Sequence, residues 1–406
     1  MMKSKGITLI ALVVTIVVLL ILAGITISLV FSENGIISKA REAAEKTNQA
    51  VINEQTQMNE LAEYMGNMLN GIGGSTTPDE PEDPTKDWDL SKVDPVQSKD
   101  ETPITVPVPK GYKASEVTGE TTVENGFVIY EGEEPVTNES DIETAQTTRN
   151  QFVWVPVENV NEIYGTDSAG KKWGKLYEFS TDGIIPLNWT EQNDKMSIID
   201  TSNFCEPNIV NSDSENGITI TQLEDEFNSM ISSVKKYGGF YIGRYETGNL
   251  SYEEGAVVKN NNDIDNQTWY TIYDKSIKIA ANENVTTTII WGCQWDAVLR
   301  WMYNSGDEEK KTYTYDSTGK GHYLSNNEGK TIPTGSCDVC KINNIYDMAG
   351  NVYDWTMEED DLDSRGLRGG HCNYNGSTTP ASARDNYPTT LGPNGFGSRV
   401  SLYINI

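Results

Sequence analysis

The sequence predicts an α+β domain behind a single N-terminal transmembrane helix. Three observations carry this. Residues 7–31 contain no charged side chain. Beyond residue 104, short β-rich runs alternate with Asn-, Gly- and Ser-rich loops, and helical signals are few. Hydrophobic residues make up 37% of the 406-residue chain, which also holds 35 Gly, 20 Tyr and 9 Trp, a mix that suits a loop-rich domain rather than a helix bundle.

The apolar run comes first. Its 25 residues, as a helix rising about 1.5 Å per residue, span roughly 37 Å, enough to cross a bilayer with some tilt. Lys3 and Lys5 precede it, so the chain is expected to be single-pass, N-in and C-out, with its large domain outside the cell. Lys5-Gly6-Ile7-Thr8-Leu9-Ile10 resembles the prepilin leader of type IV pilins. That resemblance implies a leader at 1–6, cleavage between Gly6 and Ile7, methylation of the new terminus, and pilin-like self-association. The family usually carries glutamate at the fifth mature position, where Ala11 stands here, so a membrane-held anchor fits at least as well as a pilus subunit. Residues 32–74 read as a helical stalk, with Met58, Ala62, Met65 and Leu69 on one face. Residues 75–103, with Pro78, Pro81, Pro84, Pro95 and Pro103 among acids, read as an extended spacer. The folded domain is expected to occupy 104–406, with 104–150 as an N-terminal extension.

A net charge of −29 excludes a nucleic-acid partner, because affinity for phosphates comes from Lys and Arg. Five cysteines, at 205, 293, 337, 340 and 372, leave one unpaired within a single chain. Cys337-Asp338-Val339-Cys340 is a lone CxxC, read as a local disulfide or two thiols on a loop; it is not a zinc site by itself. Cys205 and Cys293 read as buried small hydrophobes. His322 and His371 are the only histidines, so one chain cannot build a three-histidine iron site. The acid run Glu358-Glu359-Asp360-Asp361 reads as an exposed loop. There is no Gly-rich phosphate loop and no nucleophile elbow.

From residue 150 onward several segments occur in a recognisable order. Residues 152–157 read FVWVPV and residues 240–248 read FYIGRYETG. A helix is expected over 295–302, with Ala297, Val298, Trp301 and Met302 facing the core. NIYDMAGNVYDWT follows at 344–356, then Arg368-Gly369-Gly370, then Gly395-Phe396-Gly397-Ser398-Arg399-Val400. Over 150–403 the chain resembles the formylglycine-generating-enzyme or sulfatase-modifying-factor family, with Gly397-Ser398 inserted into the usual Gly-Phe-Arg ending. The resemblance implies a C-type-lectin-like fold. The family's oxidase chemistry uses a pair of cysteines that hold copper after Arg-Gly-Gly. Only Cys372 stands there, so a sulfatase-modifying-factor-type oxidase is the lesser reading, beside a minor pilin or structural envelope protein. The resemblance also implies structural calcium at Asn351 and Asp354, calcium wanting six to eight oxygens. The alternative has Asn351 capping a turn and Asp354 paired with an arginine such as Arg368. No other cofactor is expected.

Residues 371–394 are the candidate contact tract. They contain no Lys, Glu, Gln, Met or Trp, although these five types supply 86 of the 406 residues. About five were expected in a window of this length. Every residue present can be reached from an Asn codon, AAC or AAT, by changing its first two bases. That pattern resembles the variable proteins of diversity-generating retroelements, which share the lectin-like fold and a variable C-terminal segment. Tyr gives rigid amphipathic contact area, and Asn, Ser, Thr and Gly give adaptable hydrogen bonds. The expected contact residues are His371, Asn373, Tyr374, Asn375, Ser377, Thr378, Thr379, Asp385, Asn386, Tyr387, Thr389, Thr390 and Asn394. The expected ligand is an extracellular protein or glycan. Arg368, Arg384 and Arg399 are expected in buried framework pairs, with Gly369 and Gly370 allowing close backbone approach.

Overall fold

The computed structural model describes residues 83–406 apart from 138, 168, 188, 193, 194, 199–204, 250–253, 263–265, 328 and 362. The leader with Gly6 and Ile7, the apolar run, the stalk and the start of the spacer lie outside the described residues. Among the described residues no helix is long and apolar enough to cross a membrane. Residues 83–406 form one unit of mixed α and β structure.

Strict alternation along the β-rich runs builds the centre. The first strands are β1 (Val93–Gln97), β2 (Thr105–Pro109), β3 (Tyr112–Ala114), β4 (Val128–Glu131), β5 (Gln151–Pro156), β6 (Gly239–Gly243) and β7 (Val285–Ile289). Further along come β8 (Tyr353–Asp361), β9 (Ser364–Arg368), β10 (Arg384–Pro388), β11 (Phe396–Ser398) and β12 (Val400–Ile404). Six of them form an antiparallel sheet in the order β7-β12-β6-β5-β4-β3. Along β5, Phe152 and Trp154 enter one apolar cluster while Val153 and Val155 enter the other. Tyr241 of β6 sits opposite both Trp154 and Leu402 on one face, while Phe240 and Ile242 point to the opposite face. Side chains alternate with period two, so a strand buried on both faces reads as an unbroken apolar run, as FVWVPV does.

The first face is covered by α1 (Ile220–Tyr237), whose Leu223, Phe227, Met230 and Val234 repeat at helical spacing. The Thr219 hydroxyl accepts the Gln222 N–H and caps its start. The second face is covered by the β1–β2 hairpin through Val93, Val106 and Val108, all buried. This corrects the expected spacer, because β1 lies within 75–103. Pro95 and Pro107 face each other in register. Neither has an N–H to donate, so both are tolerated in a strand that pairs on one side only.

The smaller sheet runs β10-β9-β8-β11, with β8 and β11 parallel. The run Glu358 to Asp361 lies inside β8, and Glu358 and Glu359 are buried. It is not an exposed loop, because arginines and polar groups brought in by other elements meet these acids. Further helices include α2 (Trp269–Ser276), α3 (Gly292–Tyr303) and α4 (Glu308–Tyr315). Helix α3 contains the expected 295–302 helix but buries Trp295, Val298, Leu299 and Met302. Ala297 and Trp301, expected in the core, are half-buried. The buried stripe is rotated because Asp296 is also buried, drawn inward by arginines.

Candidate binding surface

Two acids and two arginines form the base on which the tract is mounted. Arg368 Nη1 donates to Glu358 at 3.0 Å, and Arg384 Nε donates to the second oxygen of the same carboxylate at 2.9 Å. Arg384 Nη2 reaches Asp296 at 2.9 Å, and Arg368 donates to the other Asp296 oxygen. Asp296 comes from α3, Glu358 from β8, Arg368 from β9 and Arg384 from β10. The four charges sum to zero, which lets all of them leave water. Burial works against the charge on Arg384, yet Glu358 and Asp296 hold its proton more tightly than usual.

The tract is stitched down at intervals. The Cys372 N–H donates to the Asn351 carbonyl at 3.0 Å, and the Gly376 carbonyl accepts from the Ser317 N–H at 3.0 Å. The Ala381 carbonyl accepts from the Trp295 indole at 2.9 Å. The Thr389 carbonyl accepts from the Trp269 N–H at 3.1 Å. Cys372, Gly376, Ala381 and Thr389 are buried. Between these anchors Asn373, Tyr374, Asn375, Ser377, Thr378, Asp385, Asn386, Thr390 and Asn394 are exposed, and His371, Thr379 and Tyr387 are half-buried. Thr389 is a correction. Its hydroxyl lies 2.9 Å from Ser212 Oγ inside the protein, so it is a structural tie and not a contact residue. Gly369 and Gly370 enter the tract at φ +82° and +78°. A Cβ at Gly370 would press on Thr379, so glycine is required there.

An aromatic group underlies the display. Tyr353 stacks on His371 with ring centroids 5.8 Å apart, and it meets Tyr374 at 6.1 Å and Phe396 at 5.6 Å. Tyr387 packs edge-on to Phe396 at 4.9 Å. Burial, then the nearby Asp385 carboxylate, pushes the Tyr353 hydroxyl above its usual range, and burial lowers the His371 pKa. Tyr374 stays 47% exposed, with Leu391 at 49% and Leu324 at 49%. The Leu324 N–H donates to the Tyr374 carbonyl at 3.2 Å. Tyr353, Phe396 and Leu324 lie outside the expected contact set. Tyr353 and Phe396 belong to segments read as framework. Leu324 carried no signal, because a lone apolar residue in a polar loop looks like any other.

Asn351 and Asp354 are both buried inside the protein. The Asn351 side-chain oxygen accepts from the Ile332 N–H at 2.9 Å, and its amide nitrogen donates to Glu246. Asp354 lies 3.5 Å from Arg399, not in the Arg368 pair weighed above. Burial pushes its carboxyl pKa up, against the pull of Arg399. Asp354 Oδ1 is buried without a hydrogen-bond partner, but the Asn351 amide oxygen is already bonded, so these two residues do not by themselves supply the six to eight oxygens calcium wants. Cys205, Cys293 and Cys372 are buried, while Cys337 and Cys340 form a disulfide. The Cys372 sulfur lies 3.7 Å from both ring nitrogens of His371.

No family model matches the chain, and no curated protein matches it. Among solved structures it is similar to PvdO from Pseudomonas aeruginosa, at 14% identity over 42% of this chain and 82% of that one, with a TM-score of 0.28. It is also similar to Treponema denticola variable protein 1, at 14% identity over 59% of this chain and 98% of that one, with a TM-score of 0.24. At these TM-scores neither likeness decides fold or function.

Proposed function

We propose that this chain is a membrane-anchored, surface-displayed ligand-binding protein, with a C-type-lectin-like domain of the formylglycine-generating-enzyme type. Its contact surface is the tract 371–394, of the kind diversified by retroelements, and its ligand is an extracellular protein or glycan. The observation that carries this reading is the pattern of anchors and displayed residues. Backbone ties and buried ion pairs hold 372, 376, 381, 384 and 389, while Asn373, Tyr374, Asn375, Ser377, Thr378, Asp385 and Asn386 between them are exposed. Such a loop tolerates substitution at displayed positions without loss of its base. The exposed Tyr374, its ring against Tyr353 and His371, supplies the aromatic anchor that binding surfaces favour. The apolar run at 7–31 and its basic flank support the anchor and the outward orientation. Pilin-like processing at Gly6–Ile7 and self-association of the stalk belong to the same reading.

The test compares the wild-type chain with Tyr374→Ala and with a variant in which Asn373, Asn375, Ser377, Asp385 and Asn386 are all alanine. Binding is read on a glycan array and on panels of cell-surface proteins. Loss of at least about tenfold in affinity with unchanged melting is expected. Equal binding by all three chains overturns the assignment of the surface. A gene neighbourhood with no reverse transcriptase and no near-copy of the tract's coding sequence removes the diversification part.

A further inference from the structure

The disulfide Cys337–Cys340 lies beside a residue that the spacing of the motif does not reveal. One ring nitrogen of His322 and the two sulfurs all lie within 4.8 Å of one another. His322 and Cys340 are buried, and Cys337 is half-buried, so the group meets solvent through Cys337. His322 Nε2 lies 2.8 Å from the Lys330 carbonyl. A carbonyl can only accept, so Nε2 carries the proton and Nδ1 keeps the lone pair. Metal-binding histidines are oriented in this way, with the distal N–H held by a backbone carbonyl. The ring's own backbone is fixed as well. Its N–H donates to Ala349 at 3.0 Å, and its carbonyl accepts from Asn351 at 2.9 Å.

We infer that Cys337, Cys340 and His322 are a metal site for a zinc-type divalent cation, open only when the disulfide is reduced. A thiol reductant supplies two electrons and two protons to the S–S bond and leaves as its own disulfide. The cation then displaces the two thiol protons and binds both thiolates and Nδ1. Tetrahedral zinc, with Zn–S near 2.3 Å and Zn–N near 2.0 Å, holds such ligand atoms about 3.5–4 Å apart. That spacing falls within the 4.8 Å of the group, and reduction frees the sulfurs to reach it. Three protein ligands leave a fourth position on the open side for water or an added group. The same segment supports the contact tract, since Leu324 bonds Tyr374 and Gly329 lies against Asn373. Metal binding therefore ties down the loop behind the displayed residues.

The test uses the full chain in detergent, with Co²⁺ as a coloured probe and Zn²⁺ as its competitor. The reduced wild type is expected to bind one Co²⁺ with thiolate charge-transfer absorption that Zn²⁺ abolishes, and the oxidised chain is expected to show none. The double variant Cys337→Ser, Cys340→Ser is expected to lose the absorption, and His322→Gln to weaken binding by about tenfold or more. The inference is overturned if the reduced wild type takes up no ion, if the double serine variant binds as the wild type does, or if His322→Gln binds undiminished. Should His322→Gln fail to fold, the wild type and the double serine variant decide alone.

Discussion

At the scale of single residues, buried charge sets the sensitive positions. Removing one member of the Asp296–Glu358–Arg368–Arg384 group leaves an uncompensated charge in the core. Arg368→Ala is expected to cost about 3–5 kcal/mol, read from urea unfolding. Arg368→Lys keeps the charge but not the planar fork that spans two carboxylates, so it is expected to recover only part of that loss. Glu206 behaves differently. Its carboxylate accepts the N–H groups of Gly292 at 2.8 Å and Cys293 at 2.6 Å, at the start of α3. Those bonds favour the ionised form, but burial and then the charge of Glu358 outweigh them and push its pKa up to about 7. In the acid range both folded and unfolded chains hold this proton. As pH rises toward about 7, the unfolded chain releases it first, so the folded chain binds more protons and its stability falls. Glu206→Gln is expected to flatten that fall, seen as a gap between the two urea midpoints that narrows or reverses from about pH 5 to 7. Parallel midpoints across the range would show that Glu206 ionises normally.

At the scale of elements, the decisive features are caps, parity and edges. Helix α1 carries much of the core over the six-stranded sheet, and its first turn rests on Thr219. Thr219→Ala is expected to cost about 1 kcal/mol, against a few tenths for Thr219→Gly. Strands β5 and β6 were legible because FVWVPV and FYIG are β-rich runs bounded by turn residues, and the structure places them side by side in register. Strand β1 was not legible. Pro95 and the prolines and acids around it look like a spacer, and only the apolar face of the sheet gives Val93 a place to be buried. Strand β8 was misread in its second half for the matching reason: two acids in sequence look solvated until the arginines that meet them are known.

For the molecule as a whole, the position of β1 moves the edge of the domain. The described unit includes β1, which lies ahead of residue 104 and pairs with β2. A fragment starting at Asp83 is expected to unfold cooperatively, in one urea transition. A fragment starting at Ile104 loses β1 and uncovers Val106, Val108 and the sheet face beneath them, so it is expected to unfold at lower urea and to bind a hydrophobic dye. Equal midpoints would return β1 to the spacer.

Composition, periodicity and motif order by themselves determined the α+β class, the central strands and helix α3. These follow from local propensity and side-chain parity, which a linear chain carries within a few residues. Only the tertiary structure decided which displayed positions in 371–394 face solvent, that Thr389 does not, that buried Tyr353 and half-buried Phe396 pack under the tract while exposed Leu324 bonds its backbone, and that His322 meets Cys337 and Cys340. Each of these depends on contacts between residues far apart in sequence. Burial, ion pairing and metal-ligand geometry are properties of neighbours in space, and the order of residues along a chain does not state who those neighbours are.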